Sequence, residues 1–271
     1  HCISSAASDV YKRQDMKYPI IKKTPKGAPS TDASVLEELS KSHELPKLIL
    51  KYREYEKLRS TYIEGLKTVI VNNRVHTSYN LFGTTTGRLS SEKPNLQNIP
   101  NKTEMGQKIR EFFVADSKHT FVIADYSQIE LRVLAHLSDD KNMINMLKNR
   151  DADIHSETAA KIFNTNIDSV TKDMRRKAKE VNFGLIYGME SFGLSKSLDI
   201  SKKEADELIK AYFGQFPKIK GFLEKIVVDA TKNTYTETLY GRKRFIRELS
   251  SSNFQVKAMG KRIAMNAPIP V

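Results

Sequence analysis

Four side chains spaced four residues apart constrain this chain more than any other feature of its sequence: Arg175, Lys179, Phe183 and Tyr187. Because an α-helix turns once in about 3.6 residues, this spacing places them on one slowly drifting stripe of a helix predicted over 171–187. The stripe presents two cations and then two aromatic rings. That order suits a nucleoside triphosphate, with cations for the phosphates and flat rings for the sugar and base. The alternatives are a solvated basic face and rings that simply pack in a core.

The chain carries a large positive charge. Its 271 residues include 45 Lys and Arg against 32 Asp and Glu, which gives a formal net charge of +13 and a pI near 9.6. Such a surplus favours a polyanionic partner, because each phosphate that a cation neutralises releases counterions; a merely basic protein is the alternative. The single cysteine, Cys2, excludes an intramolecular disulfide and a cysteine zinc cluster. No apolar run reaches about 18 residues, so we expect no membrane span. The single cysteine favours an intracellular, reducing compartment, and we expect a cytoplasmic location.

The order of helical and strand-like segments predicts an α+β protein that is mostly helical. Residues 19–34 are rich in Pro, Gly and Ser and predict a loop. The predicted helices cover 35–70 with a break near Pro46, 127–138, 151–163, 171–187, 201–213 and 252–268. The predicted strands cover 74–82, 121–125 and a basic hairpin over 235–249 around Gly241. Residues 83–100 between them predict a long polar loop, and loops of this length are usually functional.

Several local signals fix the predicted helix ends. Thr171 is a plausible N-cap and Gly188 a plausible C′ residue of the helix that carries the stripe. Ser201 and Glu204 match a capping box. In the early helical region an apolar seam recurs at helical spacing, at Leu48, Tyr52, Tyr55 and Leu58. Arg53 and Lys57 lie off that seam, where they either face solvent or contact phosphates.

Asp125 and Glu130 lie where a predicted strand passes into a predicted helix. A carboxylate at a strand end is well placed to hold Mg²⁺, but phosphoryl transfer with two metal ions needs at least two such carboxylates. The alternative is that Asp125 caps the turn through its side chain. Beside a substrate sugar, Glu130 could block a 2′-hydroxyl group by its bulk. The alternative is a Glu favoured by the positive end of the helix dipole.

The long polar loop and the helix after it offer further polar contacts. Arg88 follows Gly87, where the backbone can turn tightly, and an Arg can reach the acceptors on the minor-groove edge of base pairs. Asn95, Gln97 and Asn98 supply amide donors in the same loop. A hydrogen-bonded structural loop is the alternative. His155 either donates to a phosphate or simply lies in the first turn of its helix.

Four motifs occur in order along the chain: TTTGRLSSEKPNLQNIP (84–100), VIADYSQIELRVLAHLS (122–138), RRKAKEVNFGLIYGM (175–189) and TLYGRKRF (238–245). Together they resemble the family A DNA polymerases of the bacterial DNA polymerase I type, over roughly residues 16–268. The resemblance implies a right-hand architecture with a partial antiparallel palm sheet. It assigns 15–73 to a partial thumb, 74–138 to the first part of the palm, 139–252 to the fingers and 253–271 to the start of a returning palm helix.

The resemblance implies a role for each candidate residue at the reaction centre. Asp125 would ligate two Mg²⁺ ions, for which Mn²⁺ can substitute, and the backbone carbonyl of Tyr126 would be a second ligand. Lys179 would be the general acid, and Glu130 the steric gate against ribonucleotides. The remaining residues implied to bind the incoming triphosphate are Arg175, Phe183, Tyr187, His155 and Gln128.

The resemblance also implies contacts to primer–template DNA. Arg88 would sense the minor groove at the primer terminus, and Asn95 and Asn98 would contact the duplex from the loop. Arg53 and Lys57 would hold the primer–template backbone from the thumb. Asn266 would lie in the palm near the primer end. The partners implied are therefore primer–template DNA and deoxynucleoside triphosphates, with the protein acting as a monomer associated with the nucleoid.

The chain departs from the family pattern at both ends. Residues 1–14 lack helical or strand periodicity, and we expect a non-native junction there. The family continues with a Gln-Gly pair and later a His-Asp-Glu turn that carries the second metal-binding Asp, whereas Pro270 stands here at the Gln position. We therefore expect a truncated polymerase with little or no turnover.

Two alternative functions remain open. One is a fragment that binds DNA or a triphosphate without chemistry. The other is a single-subunit RNA polymerase, but Glu130 and the TTTGRLSS loop argue against it.

Overall fold

The computed structural model describes residues 18–101, 103–149 and 153–269. These residues divide into two compact units: unit 1 comprises residues 18–81 and 89–121, and unit 2 comprises residues 82–88 and 122–269. The expected junction at 1–14 and the expected departure at Pro270 lie outside the described residues. No helix within the described ranges is both long enough and apolar enough to cross a bilayer.

Unit 1 begins with two helices, α1 (Ala33–Ser40) and α2 (Glu44–Lys57). Asp32 caps α1, since its carboxylate accepts from the Val35 amide at 3.0 Å. A π-helical segment, Leu58–Glu64, carries α2 on into the short α3 (Gly65–Lys67). The break between α1 and α2 lies at residues 41–43, a few residues before Pro46. Pro46 lies in the first turn of α2 and does not break the helix, because the amide N–H that proline lacks would have no acceptor within the helix at that position.

The predicted apolar seam of α2 is not the core of unit 1. Leu48, Tyr52 and Tyr55 are 53%, 66% and 45% exposed, and only Leu58 is buried. The core consists instead of residues from the π-helical segment, α3 and the helix α4 (Glu104–Arg110): Leu58, Tyr62, Leu66 and Ile109. The predicted helix is therefore present, but most of its apolar seam is exposed to solvent.

The strands of unit 1 are short and antiparallel. β1 (Ile70–Val71) pairs with β2 (Arg74–Val75), and β3 (Ser78–Asn80) pairs with β4 (Ser90–Glu92). The predicted strand over 74–82 is thus two strands in two different pairs. The predicted structureless loop over 83–100 contains β4, because the polar SSE run supplies the backbone groups that complete the ladder with β3.

The predicted strand over 121–125 does not form. These residues have no regular secondary structure, and Val122 and Ile123 are 88% and 83% exposed. A strand is stabilised by a neighbour that pairs its backbone N–H and C=O groups, and no segment within the described ranges pairs with this one. The apolar composition that suggests a buried strand therefore remains at the surface.

Unit 2 is built almost entirely from helices. They are α5 (Ile129–Ser138), α6 (Lys141–Lys148), α7 (Ile154–Ile162), α8 (Lys172–Ile186), α9 (Ser191–Leu198), α10 (Lys202–Gln215), α11 (Pro217–Asn233) and α12 (Phe254–Asn266). β5 (Tyr235–Glu237) and β6 (Lys243–Phe245) form the expected hairpin, with Gly241 at φ +82° in its turn. Short 3₁₀ turns lie at Ile167–Ser169 and Arg247–Ser250.

The local signals for helix ends are confirmed in unit 2. The Thr171 hydroxyl accepts from the Met174 amide at 3.2 Å and caps α8, and Gly188 follows the helix at φ +68°. Ser201 and Glu204 form both hydrogen bonds of the capping box at the start of α10. α7 and α8 pack against each other within one apolar core that also includes residues of α5, α6, α9, α10 and α11. The predicted α+β class, mostly helical with small antiparallel sheets, is confirmed.

Two helical glycines of unit 2 make a matched pair for testing the packing of α12. A Cβ at Gly260 would lie 2.9 Å from the Leu249 backbone nitrogen and 3.0 Å from the Glu248 carbonyl carbon, whereas a Cβ at Gly221 in α11 would meet nothing within 4 Å. We expect Gly260→Ala to lower the free energy of unfolding by roughly 1–3 kcal/mol through overpacking. We expect Gly221→Ala to raise it by up to about 1 kcal/mol through helix propensity. Urea unfolding followed by circular dichroism measures both, and equal effects would contradict the packing described.

Candidate functional site

The cation–aromatic stripe lies on the outer side of α8. The helix buries Ala178, Val181, Leu185 and Ile186, and this buried side packs into the core of unit 2. Arg175, Lys179 and Tyr187 are exposed, and Phe183 is half-buried. The alternative that Phe183 and Tyr187 are plain core residues is therefore wrong, and the stripe is available to a ligand.

The two cations of the stripe differ from the cations beside them. Arg176 and Lys177 both pair with Asp173 one turn earlier, at 2.6 and 3.0 Å, and are thereby neutralised within the helix. Lys179 has no ion pair or hydrogen bond with any residue that the structure describes. Local ion pairs therefore account for Arg176 and Lys177, whereas Lys179 is exposed and available to a ligand.

Arg175 is held by a carboxylate that the sequence analysis missed. Its Nε donates to Asp153 Oδ2 at 2.5 Å and its Nη2 to Asp153 Oδ1 at 3.3 Å. Asp153 is also the N-cap of α7 and accepts from the His155 amide and the Ser156 hydroxyl. Burial opposes its ionisation, but the hydrogen bonds from Arg175 and Ser156 outweigh that effect and lower the pKa of Asp153 to about 2. The predicted helix start at 151 obscured this role; an Asp directly before the first apolar residue of the helix, Ile154, is the signal that could have identified it.

His155 belongs to a buried polar network. Its side chain is 4% exposed, and its Nδ1 lies 3.2 Å from the amide nitrogen of Asn182, which also lies 3.1 Å from the Thr158 hydroxyl. The other ring nitrogen, Nε2, lies 3.5 Å from the amide nitrogen of Gln128, and the ring tilts against Phe183 with centroids 5.6 Å apart. Burial lowers the pKa of His155, and the nearby cations Arg175 and Lys179 add to this while Asp153 opposes it. His155, Gln128 and Phe183 are thus brought together as candidate ligand-binding residues.

Glu130 forms the centre of a second cluster. Arg88 Nη2 donates to Glu130 Oε1 at 2.7 Å, and the Tyr187 hydroxyl donates to Glu130 Oε2 at 2.9 Å. Burial raises the pKa of Tyr187, and the hydrogen bond to Glu130 and its negative charge raise it further. Glu130 does lie in the first turn of α5, where the helix dipole favours it, but both of its oxygens are engaged by candidate functional residues.

The loop that carries Arg88 is held by a residue of the β5–β6 hairpin. Arg242 donates to the Thr86 carbonyl at 2.8 Å, and a Cβ on Gly87 would lie 1.5 Å from its Nη1. Gly87 has φ +80°, and the Thr84 hydroxyl donates to the Arg88 carbonyl at 2.7 Å. The glycine is therefore required both by the backbone conformation and by the close approach of Arg242. Arg242 lies in the TLYGRKRF motif, but no role was predicted for it from the sequence.

Asp125 and Tyr126 make no side-chain hydrogen bond or ion pair with the described residues of the Glu130 cluster or the His155 network. Both are exposed, and Tyr126 is 79% exposed. α5 has Gln128 at its N-cap position in the left-handed conformation, and no described backbone N–H donates to the Asp125 carboxylate. The alternative in which Asp125 caps the turn is therefore wrong. No described residues form a group of three or more His, Cys, Asp or Glu side chains suited to a metal ion, so the residues described do not fit a centre of two bridging ions.

The candidate DNA-contacting residues of unit 1 fall into two groups. Lys57, Asn95 and Asn98 line a cavity of about 690 Å³ together with residues of the π-helical segment. The Asn95 side chain accepts from the Ser91 hydroxyl and the Gln97 amide, and so organises its own loop. The Tyr62 hydroxyl donates to the Asn98 carbonyl.

The other two candidate DNA contacts are placed differently. Arg53 donates to the Thr31 carbonyl at 2.6 Å, which ties α2 to the segment before α1. Asn266, in unit 2, ends α12 and has a buried side-chain nitrogen with no hydrogen-bond partner within the part of the chain that the structure describes. A buried donor without a partner is costly and is expected to meet an acceptor in a functional state.

Comparison with known proteins places these clusters in a family. A family model described as "DNA polymerase family A" matches residues 7–270. The chain therefore belongs to DNA polymerase family A. Members of this family are metal-dependent. The chain is 49% identical over 258 residues to a DNA polymerase I of Caldicellulosiruptor bescii and 45% identical over 258 residues to a thermostable DNA polymerase I of Thermus aquaticus.

These alignments cover 94% of the chain but only 30% and 31% of the two relatives. The chain thus spans about a third of the length of the curated relatives it matches. Among solved structures it is similar to the POL domain of Pol1 from M. smegmatis in complex with DNA primer-template and dNTP, with a TM-score of 0.87 and 39% identity over 99% of this chain and 48% of that chain. The expected polymerase fold is confirmed by this similarity.

The Glu130 cluster predicts a measurable coupling between two side chains. We expect Glu130→Gln to lower the pKa of Tyr187, because the substitution removes a negative charge that opposes loss of the phenol proton. The pKa should stay above the ordinary value of about 10, since the burial of the ring remains. Carbon-13 NMR of the tyrosine rings against pH measures the change, with Tyr187→Phe to assign the signal.

Asp173→Asn provides the control for this titration. It removes a carboxylate from the opposite end of the same helix, about 20 Å away, and should leave the pKa of Tyr187 unchanged. Equal shifts in Glu130→Gln and Asp173→Asn would contradict a specific contact between Glu130 and Tyr187.

Proposed function

We propose that this chain supplies the triphosphate-binding part of a template-directed DNA polymerase. The observation that carries the proposal is the outward stripe of α8, with two cations followed by two rings, beside a buried His155. In the reaction, the primer 3′-oxygen attacks the α-phosphorus of a deoxynucleoside triphosphate, a new P–O bond forms and pyrophosphate leaves. Arg175 would hold the phosphates through its guanidinium fork, and Lys179 would neutralise the leaving pyrophosphate and deliver a proton to it.

The contact between Arg175 and Asp153 supports a phosphate site. A guanidinium that already binds a carboxylate with two donors has the geometry that a phosphate requires. The two side chains are 46% and 42% exposed, and exposed pairs of this kind contribute only roughly 0–1 kcal/mol. A triphosphate can therefore displace Asp153 at low cost. Phe183 would then pack on the incoming sugar, and Tyr187 would stack at the templating position.

The Glu130 cluster supports a role in substrate discrimination. With its oxygens held by Arg88 and Tyr187, the Glu130 side chain is fixed in position, as a steric gate against a 2′-hydroxyl group would need to be. A single-subunit RNA polymerase has no use for such a gate. Gln128, beside His155, would complete the substrate contacts.

The charge of the chain supports DNA as the partner of both units. Primer–template DNA would be bound by Arg53, Lys57, Asn95 and Asn98 from unit 1, and by Arg88 and Asn266 from unit 2. The family's metal dependence supports Mg²⁺, with Mn²⁺ as a substitute, and Asp125 with the Tyr126 carbonyl would contribute to that site. We expect a monomer that acts at the nucleoid in the cytoplasm, without membrane attachment.

Triphosphate binding tests the stripe directly. We expect Arg175→Ala and Lys179→Ala each to weaken dATP binding about tenfold or more, or ~1.4 kcal/mol. Arg176→Ala is the matched control, because it removes a cation from the same helix that is already paired with Asp173, and it should change the affinity less than about twofold. Isothermal titration at fixed ionic strength measures the three affinities. Equal losses in all three variants would indicate a nonspecific basic face.

Primer extension separates the polymerase from a binding module. We expect the 271-residue chain to bind primer–template DNA with a steep salt dependence but to extend it little or not at all with Mg²⁺, since the described residues provide too few carboxylates for two bridging ions. Gel-resolved extension and fluorescence anisotropy on the same DNA measure the two properties. Robust extension would overturn the expectation of low turnover, and absence of salt-sensitive binding would overturn the proposed DNA partner.

A further inference from the structure

Asn182 lies on the buried side of α8, between the stripe residues Lys179 and Phe183. Its side chain is fully buried. Its amide nitrogen lies 3.1 Å from the Thr158 hydroxyl oxygen and 3.2 Å from Nδ1 of His155, and its Oδ1 lies 3.5 Å from the same hydroxyl. Thr158 and His155 lie one turn apart on α7. Asn182 therefore fixes the His155 ring from within the core, and it does not face the ligand side of α8.

The His155 ring has two amide groups beside it and can accept from only one of them. A neutral imidazole has one acceptor nitrogen and one N–H group. The Asn182 amide nitrogen faces Nδ1 at 3.2 Å, and the Gln128 amide nitrogen faces Nε2 at 3.5 Å. Asn182 is fully buried whereas Gln128 is half-buried, and a buried donor without a partner costs roughly 1–3 kcal/mol. Nδ1 is therefore the acceptor, and Nε2 carries the proton.

The surroundings of His155 also disfavour the doubly protonated ring. A second proton on Nδ1 would place an N–H group against the N–H group of Asn182. The charged groups around the ring are Asp153, which favours the cation, and Arg175 and Lys179, which oppose it together with burial. The balance of these effects keeps the ring neutral.

We propose that Asn182 is a positioning residue that holds His155 as the neutral tautomer with its proton on Nε2. The tautomer follows from the buried contacts alone. The purpose of this tautomer rests on the proposed function. There the Nε2–H group of His155, which lies beside Gln128 and the stripe, would donate to a phosphate of the bound triphosphate. Neutral donation requires no proton to be taken up when the anion binds.

Nitrogen-15 NMR of histidine-labelled protein tests the tautomer without any substrate. The two ring nitrogens of a neutral histidine give well-separated shifts that identify which one is protonated, and the chain has six histidines, so His155→Gln identifies the signal by its loss. We expect His155 to be neutral at pH 7 with the proton on Nε2. A proton on Nδ1, or a ring that is a cation at pH 7, overturns the proposal without reference to any variant.

Two substitutions test the source of the tautomer. Asn182→Asp replaces the donor by an acceptor of the same shape, so we expect the proton to move to Nδ1 and the pKa of His155 to rise. Thr158→Val is the matched control, because it removes the other partner of the same amide and should leave the Nε2 tautomer in place. An unchanged tautomer in a folded Asn182→Asp variant overturns the role of Asn182, as does a loss of the tautomer in Thr158→Val. If Asn182→Asp does not fold, Asn182→Ala serves, and we expect a mixture of tautomers.

Titration with dATP separates this inference from the proposed function. We expect dATP to shift the Nε2 resonance of His155 while Nδ1 keeps the shift of an acceptor. If the Nε2 tautomer is present and depends on Asn182 but dATP leaves Nε2 unchanged, the positioning role holds and the phosphate contact of His155 is excluded. If dATP binds but the tautomer is Nδ1-protonated, the proposed function holds and the role of Asn182 is excluded.

Discussion

The packing of α7 against α8 is the constraint on which the site depends. The apolar side of α8 is buried in the core. The opposite side, which carries Arg175, Lys179 and Tyr187, therefore lies at the surface. The same contact places His155 of α7 beside Asn182 of α8 within the core. One helix pair therefore sets both the outward direction of the cations and the orientation of the histidine. A loss of packing at this contact would disorganise the two together, although neither Ala178 nor Val181 can touch a ligand.

The cations proposed to act on ligands are not all free in this structure. Arg175 is paired with Asp153, and Arg88 is paired with Glu130. Both pairs join residues more than twenty positions apart, unlike the local pairs of Asp173, which merely neutralise one turn of a helix. Under the proposed function, such a carboxylate takes the position that a phosphate would occupy and keeps the guanidinium in one orientation. Ordering of this kind reduces the entropy that ligand binding would otherwise cost.

Much of the fold and of the candidate site could be predicted from local sequence signals, and the rest depends on contacts that no local signal encodes. Thr171, Ser201 and Gly241 act within a few residues of themselves, so their roles as caps and turn follow from the sequence. The strand over 121–125 requires a partner strand, and β4 was missed because its pairing with β3 is decided by register. Asp153 and Asn182 were missed for a further reason. Asp153 gives only the local signal of an N-cap, and Asn182 looks like an ordinary helix residue, until a partner more than twenty residues away is known.

Under the proposed function a phosphate would replace the Asp153 carboxylate on Arg175, and the other contacts of Asp153 explain why this need not disturb α7. The carboxylate makes two contacts besides the ion pair, to the His155 amide and the Ser156 hydroxyl, and both belong to the start of α7. Neither contact involves Arg175, so we expect the N-cap to survive such an exchange. The pKa of Asp153 is lowered to about 2, so its stabilising ionisation is complete above its unfolded pKa near 4 and is lost only as the pH falls toward 2. At neutral pH Asp153 is therefore ionised, and under the proposed function a triphosphate would compete with this carboxylate for Arg175.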